Sequence, residues 1–318
     1  SEYVSVVESH LWLLDVAAGS KRRLTRHKPG DKVSYGGARF TPDGKAFYTT
    51  TDRDSEFERL VLFDIATGNE KIVVGDMKHD IDGFSLSRNG SLLAFVTNED
   101  GIGRLHLLET QTGKLRAVPA LPNGVISGLS WHRNGRDLAF GISSSRSPGD
   151  VYVFDVVANR VERWTESETG GLVTDKLPEA TVVRWPSFDG KTITGLLYMP
   201  PPDRFKGPRP VIVNVHGGPE GQSRPWYLGA TNYYLMELGV AVLYPNVRGS
   251  TGFGKTFVSL DDGFKREDSY RDLETLLDWI KTQPTLDGTR ILVTGGSYGG
   301  HMAFVAATRF PEKLKAVV

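Results

Sequence analysis

The strongest constraint on the fold is an internal repeat in the first half of the chain. The segments "LWLLDVAAGSKRRLT … GGARFTPDGKAFYTT", "LVLFDIATGNEKIVV … IDGFSLSRNGSLLAFVT" and "LHLLETQTGKLRAVP … ISGLSWHRNGRDLAFGI" read alike, and "VYVFDVVANRVERWT" begins a fourth. An acidic residue ends the leading strand of each, at Asp15, Asp64, Glu109 and Asp155, with intervals of 49, 45 and 46 residues. Asp43-Gly44, Asn89-Gly90 and Asn134-Gly135 fall in step with them and read as hairpin turns, since such pairs supply the positive φ values that tight turns need. Alternation in "LVLFD" and "VYVFD" gives each strand one buried face. A four-stranded unit recurring every ~40–50 residues is the pattern of propeller blades. A meandering β-sandwich competes with this reading, and the regular period argues against it. Closed propellers use ~4–8 blades and about three and a half are visible, so further blades are expected ahead of residue 1.

The period stops after the polar, glycine-containing stretch "TESETGGLVTDKLPEA" (165–180). We set the boundary there, with propeller blades over 1–177 and a second domain over 178–318. "TVVRWPSFDGKTITGLLYMPPP" reads as two strands about an Asp189-Gly190 turn. Strands and helices then alternate. "VIVNV" (211–215) is a short apolar run, as in a strand buried on both faces. "TNYYLMEL" is helical up to Gly239, and "VAVLYP" (240–245) is the next strand. Ser269 is expected to cap a helix whose Leu273, Leu276, Leu277 and Ile280 share one face. "ILVT" (291–294) is a further strand, and "GGSYGG" runs into the helical "HMAFVAATRF", closed by Pro311. Alternation of this kind predicts a largely parallel sheet covered by helices. The fold class is thus a partial β-propeller of about three and a half blades followed by the N-terminal part of an α/β-hydrolase domain.

Composition narrows the chemistry. Lys plus Arg and Asp plus Glu both number 38, so no global field draws the chain to nucleic acid or an anionic membrane. Basic runs such as Lys21-Arg22-Arg23 read as solvated turns. No apolar run approaches the ~18–20 residues that span a bilayer. Without cysteine, disulfides, thiolate catalysis and cysteine-bearing zinc sites are excluded, and a reducing compartment such as the cytoplasm fits. No metal or organic cofactor is implied, and neither phosphate-binding glycine motif occurs.

Gly295-Gly296-Ser297-Tyr298-Gly299 fits Gly-X-Ser-X-Gly, in which a strained strand-to-helix turn lifts a nucleophilic serine above the sheet edge. The pattern alone is weak, and an ordinary glycine-rich loop is its plain alternative. The preceding strand and following helix strengthen it. "HGGPEG" (216–221) leaves strand "VIVNV" directly, where a glycine-rich turn can aim a backbone N–H at a substrate oxygen. We assign that donor to Gly218 and its companion to the N–H of Tyr298. His216 and His301 read as structural rather than as bases. His10, His27, His79, His106 and His132 belong to the repeat half, and none is a good base.

These motifs together resemble the prolyl oligopeptidase family of serine peptidases, in its acylaminoacyl-peptidase and dipeptidyl-peptidase-like branches. The resemblance rests on "SFDGKTITGLLYMP", "VIVNVHGGPEGQ", "LYPNVRGSTGFGKTF", "LDGTRILVTGGSYGGHMAF" and "FPEKLKAVV", in that order, and covers nearly all of 181–318. It implies hydrolysis of short peptides through an acyl-enzyme, with Ser297 as nucleophile and Gly218 and Tyr298 as main-chain oxyanion donors. Arg248 matches a family arginine near the cleft and is expected either to bind substrate or to fix its loop in an ion pair. Chain order in this fold is Ser, then Asp, then His, so the partners of Ser297 are expected beyond Val318 and the chain alone is expected to hydrolyse very little. A carboxylesterase-type hydrolase and a non-catalytic propeller scaffold with a dead hydrolase domain remain as alternatives.

Overall fold

A computed structural model describes residues 1–28, 30–75 and 77–318. Two short antiparallel pairs come first: β1 (Glu2–Ser5) with β2 (Glu8–His10), and β3 (Trp12–Leu14) with β4 (Lys21–Arg23). Three antiparallel four-stranded sheets follow in sequence order. They are β5 (Tyr35–Phe40), β6 (Ala46–Thr51), β7 (Arg59–Asp64) and β8 (Glu70–Val74); then β9 (Ile81–Leu86), β10 (Leu92–Glu99), β11 (Ile102–Glu109) and β12 (Leu115–Arg116); then β13 (Val125–Trp131), β14 (Asp137–Ser144), β15 (Ser147–Asp155) and β16 (Arg160–Arg163). Apolar contacts run from each blade into the next. Leu60 of β7 and Phe95 of β10 share one cluster, and Leu107 of β11 and Phe140 of β14 share another.

The repeat is real, but the blades are phased differently from the sequence motif. Asp64, Glu109 and Asp155 end a blade's third strand, not its first, and Asp15 follows β3, which pairs with β4 alone. The three aspartates cap the turn into the next strand, and Glu109 accepts the Thr112 hydroxyl there at 3.0 Å. Asp15 Oδ1 accepts the N–H groups of Ala17 and Ala18, Asp64 Oδ1 that of Thr67, and Asp155 Oδ1 those of Val157 and Ala158. The turns between first and second strands also differ from expectation, because only the glycine takes positive φ. Gly44, Gly90 and Gly135 have φ of 69°, 73° and 66°. Each donates its N–H to a carbonyl three residues back, as Gly44 does to Thr41 at 2.9 Å. The preceding Asp or Asn instead accepts an N–H two residues on, as Asn134 Oδ1 does from Arg136 at 2.9 Å. This is a type I turn closed by a left-handed glycine.

The second half forms one six-stranded sheet in the order β17–β18–β20–β19–β21–β22. Its strands are β17 (Thr181–Pro186), β18 (Thr192–Tyr198), β19 (Arg209–Val215), β20 (Ala241–Asn246), β21 (Leu286–Gly295) and β22 (Ala316–Val317). β17, β18 and β20 pair antiparallel, while β20, β19, β21 and β22 run parallel. The helices are α1 (Asn232–Met236), α2 (Lys255–Val258), α3 (Arg266–Thr282) and α4 (Tyr298–Arg309). α3 and α4 cover one face, where Leu273, Leu276, Leu277, Ile280 and Met302 are all fully buried. Burying each such side chain stabilises the fold by about 2 kcal/mol.

Two local expectations are corrected. Only one face of "VIVNV" is sealed: Val211, Val213 and Val215 are buried, while Ile212 and Asn214 are half-buried because short α1 shields the opposite face less completely. Ser269 does not cap α3, which starts at Arg266; its hydroxyl lies in the first turn, 2.6 Å from Arg266 O and 2.7 Å from Tyr298 Oη. Glu267 and Asp268 favour that earlier start through the helix dipole. Among the described residues no helix is long and apolar enough to cross a membrane.

Candidate active site

From β19 the chain turns to β20 on one side and later returns to β21 on the other. The C-terminal ends of β19 and β21 therefore flank a topological switch point, where open α/β sheets bind ligands. Val215 pairs with Gly295 in register, so the residues that follow each strand emerge side by side. On one side emerges His216-Gly217-Gly218, on the other Gly296-Ser297.

Ser297 is exposed at the tip of the β21–α4 turn, with φ 55° and ψ −118°. A non-glycine residue held there costs about 1–3 kcal/mol, and the structure around it must enforce the geometry. The flanking glycines show how. A Cβ on Gly299 would fall 1.9 Å from Val215 O, and one on Gly295 would fall 2.4 Å from the same oxygen. Gly296, by contrast, has open space. The β19 loop is just as tight: a Cβ on Gly217 would lie 3.3 Å from Ser297 Cβ and 3.2 Å from Gly296 O. Gly218 adopts φ 130°, and a side chain there would strike Glu220 N. Tyr298 opens α4, so its N–H has no preceding helical carbonyl to bond. Its phenol is tied to Ser269 and lies under the Arg266 guanidinium, 5.2 Å from ring centre.

The two histidines of this half are both engaged elsewhere. His216 Nε2 meets Ser250 Oγ at 2.9 Å, and its Nδ1 meets Gly217 O at 2.8 Å. Burial holds its pKa below the ordinary imidazole value, so it is neutral near pH 7. His301 is exposed and meets Tyr270 Oη at 2.8 Å. Neither contacts Ser297 Oγ through a hydrogen bond.

The Arg248 side chain is 2% exposed and bonded to two carboxylates of the hydrolase half. Nε and Nη2 bond Asp272 at 3.0 and 2.8 Å, Nη1 and Nη2 bond Asp189 at 3.2 and 3.1 Å, and Phe188 stacks beneath at 4.6 Å. Asp272 also accepts the Arg248 backbone N–H at 2.9 Å and the Ser187 hydroxyl at 2.5 Å. Two carboxylates with fitted geometry raise the Arg248 pKa further above its ordinary value, though burial opposes them. The sequence assigns no site role to Asp272, Asp189 or Ser250, because the Arg248 and His216 groups they bind lie 24, 59 and 34 residues away.

Among the described residues one group has cation-ligand spacing: Glu8, His10 and His27, with ligand atoms within 4.8 Å of one another. Arg23 Nη2 lies 2.8 Å from His10 Nδ1, so a guanidinium already holds the position that a cation would need.

The model of the prolyl oligopeptidase N-terminal β-propeller domain matches residues 2–167, and that of the prolyl oligopeptidase family matches 226–318. The chain belongs to the prolyl oligopeptidase family. Relatives in that family include dipeptidyl-peptidase 5 of Porphyromonas gingivalis, 25% identical over 99% of this chain and 46% of its own length. Dipeptidyl aminopeptidase BIII of Pseudoxanthomonas mexicana is 26% identical over 86% of this chain and 40% of its own. A solved prolyl endopeptidase structure superposes with a TM-score of 0.82 at 20% identity, covering 98% of this chain and 45% of that one, which shows the shared fold. The chain thus spans somewhat under half the length of these relatives.

Proposed function

We propose that Ser297 is the nucleophile of a serine peptidase that cleaves short peptides through an acyl-enzyme. The observation that carries this is the exposed, positive-φ serine at the switch point, with the Gly217–Gly218 turn packed against it. Oγ attacks the scissile carbonyl carbon and passes its proton to a base. The carbonyl oxygen becomes an oxyanion, and to the N–H groups of Gly218 and Tyr298 we assign the role of receiving it, aided by the positive end of α4. Collapse expels the amine and leaves an ester on Ser297; water then releases the acid. In this reading the histidine base and its orienting carboxylate come from sequence later in chain order than the serine, and neither His216 nor His301 fills the role. Domains of 1–177 and 178–318 fit this division of labour, the blades flanking the site and the sheet building it.

Short peptides with free and with N-acylated amino ends, offered to the full-length protein and to its Ser297→Ala variant, test the proposal. Peptide cleavage lost in the variant supports it, and the preferred end separates dipeptidyl from acylaminoacyl release. Cleavage of simple esters but of no peptide would overturn the peptidase reading. Cleavage of neither would favour the scaffold.

A further inference from the structure

The segment bearing the proposed oxyanion donor continues directly into the propeller interface. Four residues beyond Gly218, the carboxamides of Gln222 and Asn98 exchange hydrogen bonds at 2.8 and 3.3 Å. Asn98 Oδ1 also accepts the Gly101 N–H at 2.9 Å, which shapes the β10–β11 turn for the contact. Arg224 Nε donates to Gly101 O at 2.9 Å, and its Nη2 lies 2.7 Å from Asp82 Oδ2. Gly101 itself has φ 92°, and a Cβ there would sit 3.2 Å from Ser223 O, so the blade turn rests on the segment's backbone.

Little slack separates that interface from the serine. A Cβ on Gly221 would fall 2.4 Å from Gly217 O and 2.9 Å from His216 Nδ1, so the His216–Gly221 turn is folded on itself. Gly221 O accepts the Thr251 N–H at 3.0 Å. Thr251 follows Ser250, whose hydroxyl holds His216. This second loop also ends on the propeller: Thr256 N–H and Oγ1 bond Glu56 at 2.8 and 2.7 Å, and Lys255 Nζ bonds Asp52 O at 2.9 Å. On the hydrolase side Ser223 ties the segment to β20: its N–H donates to Asn246 Oδ1 at 2.6 Å, Asn246 Nδ2 donates to Ser223 O at 3.2 Å, and Ser223 Oγ donates to Pro245 O at 3.2 Å. The His216 end is thus fixed by β19, and the Gln222–Arg224 end jointly by β20 and the blades.

We propose that Gln222 and Arg224 are positioning residues: bound to Asn98, Gly101 and Asp82 of the propeller, they hold the His216–Gly221 turn over Ser297. The oxyanion hole then has its productive shape only while the propeller is docked. This inference rests on Ser297 and Gly218 acting as proposed above. It separates two roles for the propeller. A propeller that only limits access changes KM and spares small reagents; one that positions the loop changes the acylation step for every reagent, however small.

The test compares full-length wild type with Arg224→Gln, Asp82→Asn and the charge-exchanged pair Asp82→Arg with Arg224→Asp. The readouts are inactivation by a small fluorophosphonate, kcat and KM on a short peptide, and thermal unfolding. The single changes are expected to slow inactivation and lower kcat by roughly 10–100-fold, with KM little altered, since displacement by about 1 Å costs on that order. The exchanged pair recovers part of the loss, and Arg224→Lys recovers more than Arg224→Gln. Gln222→Ala, which removes only the carboxamide pair, provides the same readout should an Arg224 variant fail to fold. Inactivation rates within about two-fold of wild type in folded variants, or a loss confined to KM, overturn the inference. If wild type is not labelled on Ser297, the peptidase reading fails and this one with it; if wild type is labelled and the variants match it, only this one fails.

Discussion

Truncating Arg248 to alanine would strand a carboxylate in the hydrolase core. Asp272 is fully buried, and among the described residues Arg248 supplies its only cationic partner at hydrogen-bond distance. Breaking a buried pair from one side typically costs about 3–5 kcal/mol, because the remaining charge keeps its desolvation penalty. We expect a loss near 4 kcal/mol, a fall of about 10 °C in the midpoint for a domain of this size. Urea and thermal unfolding of the full-length protein measure it. The pH dependence carries the mechanism. Burial raises the Asp272 pKa above its unfolded value, with hydrogen bonds from Arg248 and Ser187 pulling it back down. A raised carboxyl contributes stability that is present below the unfolded pKa and lost as pH rises through the folded one. Without Arg248 the folded pKa rises further, so the variant loses more over that range and its deficit is smallest at low pH. A loss below about 1 kcal/mol, or a deficit that grows on acidification, would refute the reasoning. A rise in KM with unchanged stability would restore Arg248 to the substrate.

The remaining predictions probe the turn, the loop and the interface. Gly299→Ala, whose methyl would meet Val215 O at 1.9 Å, should cost ~3 kcal/mol or prevent folding, whereas Gly296→Ala should stay within ~0.5 kcal/mol in the same unfolding assay. Burial lowers the His216 pKa, so its contribution is present above the unfolded value and lost as pH falls through the folded one; the stability advantage of wild type over His216→Gln should narrow on acidification. Glu58 faces Asp80 and Asp52 near the interface, and burial raises it to about 7. Its contribution is lost as pH climbs from the unfolded value through that point. Glu58→Gln should therefore raise the midpoint at pH ~8 by an amount worth up to ~3 kcal/mol and flatten its dependence below that.

How far the sequence could be read follows from the range of the interactions involved. The blades were visible because their turns are local: Asp64 with Thr67, or Thr41 with Gly44, lie within one hairpin and recur with the period. The phase of the blades was not, since strand order in a sheet depends on pairing between hairpins. The sheet-forming runs and the α3 stripe were legible for the same local reason. The start of α3 was misplaced because Ser269 looks like a cap in sequence, while its hydroxyl is drawn to Tyr298, 29 residues away. At the site, the turn around Ser297 could be recognised from adjacent glycines whose missing side chains make room for Val215 O. The Arg248–Asp272 pair and the Gln222–Asn98 bridge, 124 residues apart, leave no local trace.

The decisive measurement is the site of covalent labelling. Full-length protein is treated with a fluorophosphonate and digested, and the modified peptide is identified by mass spectrometry. The account predicts a single adduct on Ser297 within "ILVTGGSYGGHMAF", absent from Ser297→Ala while that variant keeps the wild-type fold by circular dichroism. An adduct on another serine, or labelling that persists in Ser297→Ala, would contradict it.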